Sequence, residues 1–309
     1  MGAAFIHRPV TSTLGFLLRR SASNPNLGIS LPVSPSLTIL TACYNAQETI
    51  LRACKSIDGQ RLPVGICIEH LILDGASTDA TVDRIERYEA ERLRTGNAAH
   101  VRRSIRSEKD AGFYDAINSG LALARGSVIG ILNADDFLAG ELVAWKLLAA
   151  LETLPIDGVY GDLLYLRWRN GSWIQHRYWR AGELRPDRFR AGWMPPHPTM
   201  YLRRNVYQEL GGFRTDFASA ADYEFMVRLM KHERIALYYV PELLVCMEAG
   251  GMSNRSLAHR LRAHRMDWKA WTVNDLSPGF LTLPLKPLRK LPQFLRRYKD
   301  FTFPDWAHQ

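Results

Sequence analysis

Short apolar runs alternate with amphipathic stretches through the middle of this 309-residue chain. LTILTA (37–42) is rich in strand formers and stops at Tyr44-Asn45. IEHLILD (68–74) is a second strand, ended by Asp74-Gly75; residues 101–106 form a third and SVIGIL (127–132) a fourth. Helical spacing fills the gaps. It runs from about Glu48 to Ile57, over VDRIERYEAERL (82–93), over DAINSGLALARG (115–126) with Gly126 as its stop, and over ELVAWKLLAALE (141–152). ASTDAT (76–81) supplies N-cap chemistry through Ser77, Thr78 and Asp79. Strands separated by helices predict parallel pairing through βαβ crossovers, hence an α/β sheet flanked by helices. The carboxyl ends of such strands gather on one edge, where open α/β sheets bind ligands.

The turn Thr41–Asn45, Asp74 and the group Asn133, Asp135 and Asp136 all fall on that edge. Two adjacent carboxylates repel each other and resist losing water, so a core strand that delivers both to one spot needs a reason. Alone, the pair also fits a solvated turn in which an aspartate caps the next helix. Neither GxGxxG nor GxxxxGK[ST] occurs, which disfavours a dinucleotide-binding dehydrogenase or a P-loop kinase. A carboxylate cluster without a glycine-rich loop points to phosphate reached through a divalent cation, Mn2+ or Mg2+.

Composition narrows the class. At 47% apolar residues a sizeable core is assured. Cys43, Cys54, Cys67 and Cys246 show neither paired metal spacing nor a small disulfide framework, and read as reduced thiols of a cytoplasmic protein. No apolar run reaches the length of a membrane span. Phe16-Leu17-Leu18 ahead of Arg19-Arg20 is too short for a signal-peptide core. Residues 1–36 are therefore expected to be a flexible extension, with a transit peptide as the alternative.

Charge is unevenly placed. Of the net +9, residues 251–309 contribute +7 and residues 1–36 contribute +3, leaving the central body at −1. A neutral body argues against a nucleic-acid-binding face. The C-terminal segment mixes its Lys and Arg with Trp268, Trp271, Phe280, Phe294, Tyr298 and Phe301. That mixture suits an anionic membrane surface, or else a basic helix packed on the body.

TACYNAQETI, LILDGASTDAT, EKDAGFYDAINSGLALARGSVIGILNADD, HPTMYLRR, ADYEFMVRL and GGMS follow one another over about residues 37–255. In that order they resemble family 2 glycosyltransferases, in particular the bacterial exopolysaccharide, O-antigen and colanic-acid-like branch. The resemblance implies a GT-A type fold, with a Rossmann-like mixed sheet and a basic helical C-terminal extension. It divides the chain into an extension (1–36), a catalytic domain (37–254) and a basic aromatic tail (255–309). Within the domain, 37–140 would hold the nucleotide-sugar and 141–254 the acceptor. It further implies inverting transfer of a sugar from a nucleotide-diphosphate-sugar to a saccharide or lipid-linked saccharide. The setting implied is cell-surface polysaccharide synthesis at the inner face of a membrane.

The same resemblance assigns residues. Thr41, Cys43 and Asn45 would contact the nucleoside, Asp74 the base, and Lys109 and Asp110 the base, ribose and diphosphate. Asp135 and Asp136 would hold the metal, with Asp135 also near the ribose. The family usually has aspartate where this chain has Asn133, which can hydrogen-bond a ribose hydroxyl but adds no charge. His197, in the proline-bounded WMPPHPTM loop, and Ser253, in GGMS, would approach the diphosphate or sugar. Asp222 matches the general base, although Ala221 stands where the family often has a first acid.

Each residue also has a plain structural reading: a strand-ending turn for Asp74-Gly75, a surface lysine for Lys109, a core cover for Trp193, a helix-start acid for Asp222. Two other classes compete. A sugar nucleotidyltransferase would bring a basic, glycine-rich loop where this chain has TACYNAQET. A non-catalytic nucleotide-sugar-binding protein would be expected to lose the metal acids or the base, and Asp135, Asp136 and Asp222 are all present.

Overall fold

The computed structural model describes residues 36–250, 257–280, 282–298 and 303. Four strands of the first half are parallel: β1 (Leu37–Cys43), β2 (Ile68–Asp74), β3 (Val101–Ser107) and β4 (Val128–Ile131). Between them lie α1 (Ile50–Asp58), α2 (Thr81–Thr95) and α3 (Phe113–Leu123). Register brings Cys43, Asp74 and Ser107 into one row at the carboxyl edge. β1 and β2 are buried at every position, as expected of strands covered by helices on both faces.

The sheet then becomes mixed. β5 (Phe137–Leu138) and α4 (Val143–Thr153) lead into the long β6 (Gly158–Arg169) and its hairpin partner β7 (Ser172–Trp179). After α5 (Pro186–Arg190) and a 3-10 turn at His197–Thr199, β8 (Tyr201–Arg203) runs antiparallel to both β4 and β6. It thereby joins the two halves into one nine-stranded sheet of order β3-β2-β1-β4-β8-β6-β9-β5, with β7 flanking β6. At that junction Gly130 leaves room for the Tyr201 ring, which a Cβ would meet at 2.2 Å. α6 (Arg204–Leu210), α7 (Ala221–Lys231) and β9 (Leu237–Glu248) complete the body.

Local details depart from the sequence expectations. The third helix ends at Leu123, not at a glycine stop. Gly126 serves a close approach: a Cβ there would lie 2.5 Å from the Thr38 backbone nitrogen, and its N–H donates to Thr38 Oγ1 at 2.8 Å. Ala80, not a side-chain capper, occupies the N-cap of α2, while Asp79 accepts from the Thr81 N–H at 2.9 Å. Ahead of α7 the chain breaks at Ala218 (φ 48) within a 3-10 turn, Thr215–Ala220.

The basic C-terminal segment is helical: α8 (Leu257–Thr272), α9 (Thr282–Leu288) and α10 (Leu291–Leu295). It docks on α7 through Trp271, whose indole N–H donates to the Tyr223 hydroxyl at 2.9 Å, and through Asn274 to Glu224 at 3.0 Å. Trp268, Phe280, Leu291 and Leu295 of this segment are exposed. Among the described residues no helix is long and apolar enough to cross a membrane. The N-terminal extension, apart from Ser36, lies outside the described residues, as do Phe301 and the segment containing Ser253.

Candidate active site

Two loops at the carboxyl ends of β1 and β2 clasp each other. Asn45, held at φ 50, accepts the Thr78 N–H on Oδ1 at 2.8 Å and donates its own N–H to Ser77 Oγ at 2.8 Å. Ala46 N–H donates to Thr81 Oγ1 and Gln47 Oε1 accepts from Ala80 N–H. Asp74 lies beneath. Its carboxylate accepts from Ser77 N–H (2.9 Å), Ser77 Oγ (2.5 Å) and Ser107 Oγ (2.6 Å), with Cys43 Sγ at 3.5 Å. These contacts occupy most of a carboxylate's acceptor capacity. Cys43 is buried, and burial with the adjacent Asp74 charge raises its thiol pKa. The thiol therefore stays protonated and is no nucleophile.

A shallow recess beside this row is lined by Asp74, Arg106, Lys109, Asp110 and Asp115. Asp110 accepts the Gly112 N–H at 2.8 Å. A Cβ at Gly75 would lie 2.8 Å from the Asp110 carboxylate, so a larger residue there would push that side chain aside. Thr41 is not part of the recess. It is fully buried, with Oγ1 3.0 Å from His70 Nε2. Arg103 Nε donates to His70 Nδ1 at 2.9 Å, which fixes the imidazole neutral with its proton on Nε2.

The acidic loop follows β4. Asp136 is completely buried; Asn133 Nδ2 donates to its Oδ2 at 2.7 Å, while its Oδ1 has no hydrogen-bond partner. Burial, then the neighbouring Asp135 charge, push the Asp136 pKa well up. Burial likewise raises the half-buried Asp135, with Glu248 adding to the effect. Arg52 of α1 holds the loop from behind, its Nη2 3.0 Å from the Asp135 carbonyl and 2.6 Å from Glu248 Oε2. The guanidinium also lies 4.8 Å over the Trp173 ring.

Asp222 lies in the first turn of α7. Its Oδ1 accepts the Tyr223 N–H at 2.7 Å, and its charge reaches the Tyr114 hydroxyl. His197 lies within reach of the Asp222 charge and packs edge-on against Phe213 at 5.5 Å. Burial lowers the His197 pKa, and Asp222 partly offsets this. Tyr165 of β6 feels the charges of both Asp136 and Asp222. Trp193 donates to the Ala181 carbonyl at 2.8 Å and packs on Tyr160, covering the core.

Among the described residues no three His, Cys, Asp or Glu side chains form a ready-made metal cage. Two carboxylates with a free oxygen suit Mn2+ or Mg2+, which complete their shells with water and substrate phosphate. Sequence reasoning missed Arg52, Tyr165 and Arg177, whose partners lie on other strands. A separate groove of about 470 Å³ between α3 and α6 contains none of the candidate residues.

The family pattern described as "Glycosyl transferase family 2" matches residues 38–218. A PGL/p-HBAD biosynthesis glycosyltransferase of Mycobacterium bovis is 30% identical over 223 residues, covering 72% of this chain and 80% of that protein. The O-antigen biosynthesis protein RfbC of Myxococcus xanthus is 29% identical over 205 residues, covering 63% of this chain and 14% of that much longer protein. Staphylococcus aureus TarS (residues 1–349), solved with UDP-GlcNAc, superposes with TM-score 0.58 at 16% identity over 79% of this chain and 68% of that one. The Pyrobaculum calidifontis mannosyltransferase PcManGT, solved with GDP-Man and Mn2+, gives 0.55 at 16% over 90% and 76%. At these identities the superpositions show the fold, a GT-A type mixed sheet. Matched over more than half its length by the family pattern, the chain belongs to glycosyl transferase family 2.

Proposed function

We propose that this glycosyltransferase moves a sugar, with inversion, from a nucleotide-diphosphate-sugar to a saccharide or lipid-linked saccharide of the cell surface. The observation that carries this reading is that two acidic elements act on one tyrosine. The charges of the buried Asp136, with its unpartnered Oδ1, and of Asp222 both reach Tyr165. Asp135 and Asp136 would hold Mn2+ or Mg2+, which supplies charge stabilisation for the departing nucleoside diphosphate. The structures of relatives with UDP-GlcNAc and with GDP-Man and Mn2+ support that donor class and cation.

The chain's own residues do the rest. The row around Asp74, Cys43 and Asn45, with Lys109 and Asp110, frames the nucleoside. Thr41 supports that row from within the core. Asn133 donates to Asp136 and would meet a ribose hydroxyl. His197, half-buried and held neutral, would approach the diphosphate or sugar; the resemblance gives Ser253, outside the described residues, the same role. Asp222 accepts the proton of the acceptor hydroxyl as that oxygen bonds to the anomeric carbon from the face opposite the leaving group. The carbon–oxygen bond to the diphosphate breaks as the new bond forms, which inverts the centre.

The names of the relatives, PGL/p-HBAD and O-antigen biosynthesis, support a cell-surface glycan product. Exposed Phe280, Leu291 and Leu295 in a segment of net positive charge support peripheral attachment to the inner face of a membrane. A panel of UDP-, GDP- and dTDP-sugars, tested by thermal shift with and without Mn2+, checks the reading. One donor should stabilise the fold in a Mn2+-dependent way. A flat panel contradicts it.

A further inference from the structure

Four well-buried arginines of this protein each face a carboxylate: Arg52 with Glu248, Arg92 with Glu89, Arg103 with Asp58 and Glu89, and Arg228 with Glu224. Arg177, on β7, does not. Only 9% of it is exposed, yet no acid is within ion-pair reach among the described residues. Its guanidinium lies 3.8 Å from the Tyr165 ring centroid, 5.7 Å from Trp179 and 5.8 Å from Phe294. Three rings partly compensate the cation and the guanidinium also interacts with the Tyr165 hydroxyl, but its five N–H groups offer more donors than one hydroxyl can accept. A buried cation with aromatic walls and no acid is a place prepared for an anion from outside.

The sheet register shows where that anion would lie. Phe137, next to Asp136, pairs with Cys246 of β9; the following Met247 pairs with Tyr165 of β6, and Tyr165 with Arg177 of β7. A row of neighbouring strands thus leads from the acidic loop to Arg177, and the guanidinium folds back one strand over Tyr165. The register of the hairpin slips at this position. Tyr165 faces Arg177 while Leu166 faces Gln175, leaving His176 as an extra residue. Such bulges commonly redirect a side chain beside a functional site. The C-terminal segment roofs the place, since Phe294 packs against both His176 and Arg177.

We propose that Arg177 is the phosphate-binding residue of the acceptor half, holding an anionic phosphate oxygen in the cleft beside Tyr165. Bidentate guanidinium–phosphate pairing suits this role. The phosphate belongs either to the nucleotide donor's diphosphate or to a phosphate-bearing acceptor. The proposal rests on the glycosyl-transfer reading, and its test separates the two.

The test compares wild type with Arg177→Gln and Arg177→Lys, using thermal shift and equilibrium binding. The probes are inorganic pyrophosphate, and UDP, GDP and dTDP with Mn2+. Wild type should be stabilised by pyrophosphate and by one nucleotide. Arg177→Gln should lose at least tenfold in pyrophosphate affinity, with Arg177→Lys, which keeps the charge without the fork, in between. A parallel loss for the nucleotide assigns the donor's diphosphate; an unchanged nucleotide affinity assigns the acceptor's phosphate. Unchanged affinity for every probe in a folded Arg177→Gln overturns the proposal while leaving glycosyl transfer standing. Wild type indifferent to pyrophosphate but bound by a nucleotide overturns it equally. Wild type indifferent to all probes sinks the glycosyl-transfer reading itself. Should Arg177→Gln fail to fold, Arg177→Lys decides: wild-type affinities in that variant count against the proposal.

Discussion

The guanidinium of Arg52 donates to the backbone carbonyl of Asp135 at 3.0 Å, across 83 residues of sequence, while the same nitrogen meets Glu248 at 2.6 Å. A single side chain from α1 thus fixes the loop that carries both candidate metal ligands and ties it to the end of β9. Arg52→Met should cost about 1–3 kcal/mol of stability, the scale of a charge-assisted hydrogen bond whose acid partner can still turn to water. It should also weaken Mn2+-dependent nucleotide binding without touching either ligand. Chemical denaturation alongside Mn2+ titration checks both effects, and an unaltered Mn2+ affinity would show that the loop holds itself.

Asp222→Asn keeps shape and removes basicity. Transfer should fall by about 100-fold or more, the usual scale for a general base. Nucleotide and Mn2+ affinity should stay near wild type, because the group acts on the acceptor. Steady-state rates paired with donor binding decide this; loss of donor binding would assign Asp222 another role.

His70 makes stability depend on pH. Burial, then the Arg103 charge, hold its pKa well below the ordinary value of 6.5. Arg103 occupies Nδ1, so protonation there would have to expel a guanidinium. Below pH about 6.5 the unfolded chain binds a proton on this residue that the folded chain refuses, so stability falls as pH drops. Its contribution to the slope is at most about 1.4 kcal/mol per pH unit, and the loss continues down to the depressed folded pKa. Urea titrations from pH 8 to 5 should show a shallower dependence in His70→Gln. Equal slopes would mean that other groups carry the acid loss.

Membrane attachment should need anionic lipid and weaken as salt rises. Phe280→Ser combined with Leu295→Ser removes two highly exposed apolar side chains, 93% and 84% exposed, and should release the protein without lowering its stability. Flotation with phosphatidylserine-containing and pure phosphatidylcholine vesicles reads this out. Equal recovery on both kinds of vesicle would contradict an electrostatic attachment.

Periodicity made the parallel half legible. LTILTA, IEHLILD and the run before Asn133 could only be covered strands, and their ends brought Asp74 and the acidic loop to one edge. The mixed half was harder to read. β5 has two residues and β8 three, too short for any period, and their pairing is set by contacts such as Gly130 with Tyr201. Asp135 and Asp136 are equivalent letters in sequence; only the fold buries one completely and leaves its Oδ1 unpartnered. Thr41 shows the opposite limit. It shares strand parity with Cys43, but its hydroxyl is committed to His70, a partner 29 residues away. Arg177 carries no signal in the sequence; only the hairpin slip sets it over Tyr165.

The account stands most directly on the acidic loop. With the best donor of the sugar-nucleotide panel and a saccharide acceptor, nucleoside diphosphate release should be followed in enzyme stripped by chelator and then titrated with Mn2+. Stripped wild type should be silent and Mn2+ should restore it, whereas Asp136→Ala should stay inactive at every Mn2+ concentration while remaining folded. Undiminished transfer by the stripped enzyme, or by Asp136→Ala, would contradict the account.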